Sequence, residues 1–486
     1  MTARPQSITD TLREAYRRHM SGQAEEAERL CRRVLASAPQ NTDALNLRSV
    51  IEQERGRYEP ALGLLERAIS LKPSVAIYHA NRGRTLTELW RLDEAVAAYR
   101  EALRLNPSLD DVYNGLAIAL RSASRLEEAE SYAREALRRV PTDDSLHSNL
   151  GCVLMDMGRP AEAEASFRAA LRLRANNLEA RRNLAMALLL RGDLQVGLRD
   201  YEVRLQLRPR KFRQAQWEGE PLGGRTLLVH HEQGFGDSLQ FCRYVPLAAQ
   251  SGRIIVEVPR ELSRLFARLD GVAELVIAGE PLPDFDLHCP MMSLPSAFNT
   301  GLEDIPASVP YLTADPEDVA MWKARVASLP GLRVGLVWAG RATMPEVDRK
   351  RSIAPENLGA LGDVQGVSFI SLQKDAAASA ACAPFTIHDW MSEVGDFADT
   401  AALIEALDLV ISVDTSVVHL AGALGKPVWM LNRFETCWRW LLDRQDSPWY
   451  PSLRMFRQKR AGDWNDVIER VQAELRALAR CRTELH

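Results

Sequence analysis

The sequence predicts an α-helical solenoid followed by an α/β region in two halves, and three observations predict it. Residues recur with a 34-residue period through the first 209 positions. Beyond about Arg225 that rhythm gives way to short apolar runs separated by helical segments. Among them DLVISVDTSVVHLAGALGKPVWML, Asp408 to Leu431, reads as strand, turn, helix, turn and strand, one unit of a doubly wound parallel sheet.

The repeat comes first in the chain. Pro39, Pro73, Pro107 and Pro141 stand 34 apart, Ala175 takes the next place and Pro209 the one after. Ala27, Ala61, Ala95, Ala129 and Ala163 share one phase, and Ala68, Ala102, Ala136 and Ala170 share another. Small residues let two helices approach, Tyr99, Phe167 and Tyr201 supply bulk, and a proline closes the unit, so each period reads as a helix-turn-helix. About six such units fit into residues 1–209. An array of this kind has no chemistry of its own and offers a groove to a partner protein. Asn81, Asn149 and Asn183 share a phase that is broken at Leu47 and Gly115. Their amides are candidates for holding a partner's main chain, or else they satisfy helix ends or face water.

Composition excludes several classes. With a net charge of −4, nothing calls for nucleic acid, and the arginine-rich helix faces read as solvated surface. The seven cysteines are scattered without a CxxC pair, which fits reduced thiols in a cytoplasmic protein and neither a disulfide frame nor a zinc site. The opening MTARPQSITD has no apolar core, and no run approaches the ~18 apolar residues that span a bilayer, so a cytoplasmic protein with no membrane span is expected.

A linker at 210–221 leads into the first α/β half, residues 222–320. Its first strand, Thr226 to His230, runs into a loop with Gly234, Gly236 and Asp237. Glycines at a strand's carboxyl end permit close approach of a ligand, and a carboxylate there is placed to take a proton from an attacking hydroxyl. The alternative is that Asp237 caps the next helix. RIIVEVP, AELVIAG and DLHCPM continue this half. Asp284 and Asp286 form a D-x-D triplet without partner carboxylates, read as a strand edge, and no metal is expected.

The second half, residues 321–486, contains RVGLVWAG, VSFISLQ and the Asp408 unit, and ends in an amphipathic helix able to pack back across the first half. Thr415 and Ser416 stand at a strand end that opens a helix, where backbone N–H groups and the helix dipole favour an anion such as a nucleotide diphosphate. Asp414 and His419 flank that point, as an N-cap and a satisfied helix histidine or as site residues. Gly340 with the basic cluster Arg349, Lys350 and Arg351, and Lys374 after the next strand, are candidates for phosphate contact or solvated loop residues. Trp438, Trp440, Trp449 and Tyr450 stack a base or sugar, or pack the cleft rim.

The repeats resemble the tetratricopeptide (TPR) family. From about Gln214 onward the chain resembles GT-B glycosyltransferases of the heptosyltransferase-like group, on Gly236-Asp237 and on VDTSVVHLAGALGKP. That resemblance implies two Rossmann-like halves facing a cleft, with acceptor side first and donor side second. It also implies Asp237 as general base and Asp414, Thr415, Ser416 and His419 as contacts to a nucleotide-sugar donor, with Lys374 and Arg351 added from position. Ser416 stands where those enzymes usually carry glycine, which keeps phosphate contact and weighs against a heptose donor. TPR repeats joined to such a domain are similar to bacterial flagellin glycosyltransferases and, in architecture, to protein O-GlcNAc transferases. The implied function is transfer of a sugar from a nucleotide-sugar to Ser or Thr of an acceptor protein, flagellin favoured, by a metal-independent, inverting enzyme without a cofactor. Two other readings are a heptosyltransferase-like enzyme of lipopolysaccharide or other glycan synthesis, and a non-catalytic TPR scaffold with a degenerate transferase domain.

Overall fold

The computed structural model describes residues 7–340, 345–374 and 383–483. Cys382, the first six residues, and 341–344 of the loop after Gly340 lie outside the described residues. The chain forms two compact units, Met1–Asn177 and Leu178–His486.

The first unit is the helical solenoid that the period predicts. Its pairs are α1 (Ile8–Met20) with α2 (Ala24–Ser37), α3 (Thr42–Glu54) with α4 (Tyr58–Leu71), and α5 (Ala76–Glu88) with α6 (Leu92–Leu105). They continue as α7 (Asp110–Ser122) with α8 (Leu126–Arg139), and α9 (Asp144–Asp156) with α10 (Pro160–Leu173). Ser7, Asn41 and Asp143 cap α1, α3 and α9 by accepting from first-turn N–H groups. The recurring alanines are buried at the crossings. Tyr99 fits there because Gly83 and Gly115 are small: a Cβ on either would lie 2.8 Å from its ring. Gly151 does the same for Phe167.

The second unit opens with α11 (Leu178–Arg191), α12 (Leu194–Tyr201) and α13 (Arg204–Leu207). Two parallel sheets follow. The first contains β1 (Ala215–Gln216), β2 (Thr226–His230), β3 (Arg253–Val258), β4 (Glu274–Ile277) and β5 (Leu287–Pro290), in the order β1-β5-β2-β3-β4. Two residues of the expected linker are thus an edge strand, because Ala215 and Gln216 pair with Leu287 and His288. Helices α14 (Phe235–Phe241), α15 (Val245–Ala249), α16 (Arg260–Phe266) and α17 (Leu294–Ala297) accompany this sheet.

The second sheet contains β6 (Leu332–Val337), β7 (Val367–Ser371), β8 (Ile387–His388), β9 (Leu409–Val413), β10 (Val428–Asn432) and β11 (Leu453–Arg457), in the order β11-β10-β9-β6-β7-β8. Its helices are α18 (Pro316–Val326), α19 (Pro345–Arg351), α20 (Gly359–Gly362), α21 (Phe397–Glu405), α22 (Ser416–Ala423) and α23 (Asn465–Thr483). Counted within this half, the strands run 3-2-1-4-5-6, so the order reverses between β6 and β9. The first sheet reverses in the same way between β2 and β5. The final helix does not reach back across the first half. Val467, Ile468, Val471 and Leu475 face the core built from Val334, Leu336, Leu409 and Ile411, because one apolar stripe spaced three and four residues apart matches the nearest uncovered face of its own sheet.

Candidate functional site

Ligands of open parallel sheets bind beyond the strand ends where the order reverses. In the first half that position follows β2 and β5 and holds His231 to Asp237 and Met291 to Ser293. In the second it follows β6 and β9 and holds Trp338 to Gly340 and Asp414 to Ser416. The two helices that leave these positions, α14 and α22, pack on each other. Gly236 makes this approach possible: a Cβ there would lie 2.9 Å from His419 Cδ2 and 3.6 Å from Ser416 Cα. Phe235 meets Phe397 of α21 edge-on, ring centres 5.1 Å apart.

Asp237 is the third residue of α14, which starts at Phe235, so it lies inside the helix and not in the loop before it. Its Oδ2 accepts from the N–H of Gly234 at 2.9 Å, so the capping role is present. Its Oδ1 also accepts from Arg439 of the second half. Burial works against the charge on Arg439, but Asp237 beside it outweighs that and holds the guanidinium above its usual range.

Thr415, and not Asp414, takes the N-cap position of α22. Its hydroxyl meets Ser412 Oγ at 3.1 Å and makes no cap, which leaves the first-turn N–H groups without that side-chain partner. Asp414 accepts from Arg351 Nη1 through its backbone carbonyl at 2.9 Å, and its carboxylate makes no hydrogen bond among the described residues. His419 is buried, accepts or donates at Nδ1 to Tyr450 OH at 2.9 Å, and stacks on Trp440 with ring centres 5.3 Å apart. Burial, and then Arg439 and Arg243, push its pKa well below the usual value, so the ring is neutral.

The predicted cations are committed to protein partners. Arg351 pairs with Asp348 beside Gly340, Lys350 reaches Glu435 at 3.1 Å, and Lys374 donates to the carbonyls of Met391, at 2.9 Å, and Val394. Arg433, which follows β10, makes no ion pair or hydrogen bond among the described residues. Trp438, Trp440, Trp449 and Tyr450 are buried and pack the junction of the halves.

Several residues escaped the sequence reading. Glu232, in the same loop as Asp237, is raised in pKa by burial, opposed by Arg204, whose Nε lies 3.1 Å away. Arg204 also donates to Glu202 at 2.6 Å and to Ser293 Oγ at 2.7 Å. Arg243 is buried between the halves and donates to Gln240 O, to Tyr311 OH at 2.9 Å and to Trp449 O at 2.7 Å. Isolated arginines in a chain rich in arginine carry no local signal. In the solenoid, Asn81 donates to Asn46 Oδ1 at 2.8 Å and Asn149 to Asn114 Oδ1 at 2.9 Å, so those amides bond across neighbouring repeats. Asn183 is buried in α11 of the second unit. Asp286, just before β5, accepts from the N–H of Thr226 at 2.7 Å; β5 lies between β1 and β2 and is not the edge strand that the sequence reading took it for.

Comparison with known proteins adds the following. Residues 20–76, 80–144 and 148–210 match the tetratricopeptide repeat family, and residues 395–433 match glycosyltransferase family 9 (heptosyltransferase). The latter span includes Asp414 to His419. Protein FlbA of Caulobacter vibrioides is 31% identical over 328 residues, 61% of this chain and 54% of that protein, so the chain spans about half the length of this curated relative. Among solved structures, a thermophilic TPR protein of Thermus thermophilus is 23% identical, with a TM-score of 0.34 over 38% of this chain and 100% of the other. PilW, a type IV pilus biogenesis factor, is 23% identical, with a TM-score of 0.38 over 42% of this chain and 94% of the other. The chain therefore carries tetratricopeptide repeats followed by an α/β region with a segment that matches glycosyltransferase family 9, and it is similar to FlbA over 61% of its length.

Proposed function

We propose that the chain is a glycosyltransferase that moves a sugar from a nucleotide-sugar donor to Ser or Thr hydroxyls of an acceptor protein recruited by its repeats. The carrying observation is the apposition of the two strand-end segments, Gly236-Asp237 against Ser416 and His419. The family 9 match over the second of these segments supports the same reading. Flagellin is the favoured acceptor, from the resemblance to bacterial flagellin glycosyltransferases, and the transfer is cytoplasmic.

The acceptor hydroxyl gives its proton to the Asp237 carboxylate as its oxygen bonds to the anomeric carbon. The bond from that carbon to the donor's phosphate oxygen breaks, and its electron pair stays on the phosphate. The first-turn N–H groups of α22 and basic side chains of the second half meet that charge, so the reaction proceeds without a metal. One base and one displacement give inversion. Asp237→Asn is expected to lower transfer by ~10² to 10⁴-fold while nucleotide-sugar still raises the melting temperature of the variant. Intact mass of flagellin from cells with and without the protein reads the transfer. Full turnover by Asp237→Asn removes it from the mechanism, and a wild-type chain whose melting temperature no nucleotide or nucleotide-sugar moves favours the non-catalytic scaffold.

A further inference from the structure

Asp237 and its cation come from different halves of the α/β region. Arg439 lies in the Trp438–Trp440 turn after β10 and reads one face of α14. Its Nη2 donates to Asp237 Oδ1, its Nε donates to Gln240 Oε1 at 2.7 Å, and its guanidinium carbon lies 5.6 Å from the centre of the Phe241 ring. These three partners stand at i, i+3 and i+4, one stripe of a helix. From its own half, Trp438 covers the guanidinium at 4.5 Å, and Nη1 meets Cys437 Sγ at 3.3 Å. The fork is held at its edges and on its faces.

Gln240 shows what this arrangement costs. It is fully buried, and with Oε1 turned to Arg439 its Nε2 has no partner among the described residues. A buried amide left unpaired is unfavourable, so its orientation serves the arginine. Among the described residues each Asp237 oxygen accepts one hydrogen bond, Oδ2 from Gly234 and Oδ1 from Arg439, which leaves each a lone pair for an incoming hydroxyl.

We propose that Arg439 is a positioning residue for the transfer: it aims Asp237 from the opposite half, so that the base is set only while the two halves are apposed. This rests on the reading of Asp237 as the base. It predicts a defect in turnover at saturating donor and not in donor affinity, because Arg439 is spent on Asp237, Gln240 and Cys437.

The test uses the full chain purified as Arg439→Ala, Arg439→Lys and Asp237→Asn, with melting temperature recorded for each. Transfer is followed by intact mass on the protein whose mass differs between cells with and without the wild-type chain, flagellin first. Affinity for the nucleotide-sugar that shifts wild-type melting is titrated in parallel. Arg439→Ala is expected to lose ~10²-fold in turnover, the scale of a displaced catalytic group, with donor affinity within about threefold of wild type and with part of the turnover restored by added guanidinium ion. Arg439→Lys keeps the charge without the fork and should fall between the two; it also serves if the alanine variant does not fold. Wild-type turnover in Arg439→Ala, or a loss of donor affinity as large as the loss of turnover, overturns the proposal. If Asp237→Asn alone keeps full activity, the reading of the base fails instead.

Discussion

At the scale of single residues, the ends of the strands combine retained charges with histidines kept neutral. His230 closes β2, lies 3.3 Å from His288 Nδ1, and has its pKa pushed down to about 3 by burial, then by Arg210 and His288. In the unfolded chain a histidine titrates near ~6.5. Below that pH the unfolded state binds a proton that the folded state refuses, so this stability is fully present above about pH 6.5 and is lost as the pH falls toward the folded value. His230 alone should cost about 2 kcal/mol by pH 5, and His419 acts in the same direction. Melting temperature should therefore fall between pH 7 and pH 5, with a shallower slope for His230→Asn. An identical slope in that variant would show that His230 does not supply the proton linkage.

At the scale of elements, the repeats depend on a turn that the proline and alanine pattern does not display. Gly22, Gly56, Trp90, Ser124 and Gly158 stand 34 apart, each between the two helices of a pair, with φ of 77°, 71°, 59°, 57° and 70°. This left-handed position costs glycine nothing and costs other residues about 1–2 kcal/mol. Ser124→Gly should therefore stabilise the solenoid, by up to about 1 kcal/mol after the added freedom of glycine in the unfolded chain. Chemical denaturation of the isolated repeats reads this directly, and a destabilised variant would show that the contacts of Ser124 outweigh its backbone strain.

For the whole molecule, the division into compact units sets where the chain can be cut. Helices α11 to α13 carry the end of the repeat pattern and pack in the second unit. There α11 contacts the Trp438–Trp440 turn, and Arg204 is buried against Glu202, Glu232 and Ser293. A fragment beginning at Leu178 should fold and bind nucleotide-sugar. One beginning at residue 222 should not, because it leaves Glu232 buried without its arginine. Circular dichroism and donor titration of the two fragments decide this. Equal donor binding by both would mean that α11 to α13 are dispensable to the α/β region.

The sequence by itself determined the two kinds of architecture, because a 34-residue period and apolar strand runs are local signals repeated often enough to exclude chance. It also marked the strand ends, since Gly236-Asp237 and Asp414-Thr415-Ser416 each interrupt a strand-to-helix transition with residues suited to a ligand. Only the tertiary structure decided what those residues touch. Arg439 meets Asp237 across 202 positions of chain, and Arg243 meets Trp449 across 206. No local pattern links such pairs, because a buried charge is matched to its partner by the packing of the two sheets. The same holds for Arg351 and Lys374, whose place after a strand was visible but whose donors turn to Asp348, the Asp414 carbonyl and the carbonyls of Met391 and Val394. Spacing along a chain reports which face of an element a residue occupies; which neighbour satisfies its charge is settled by the fold.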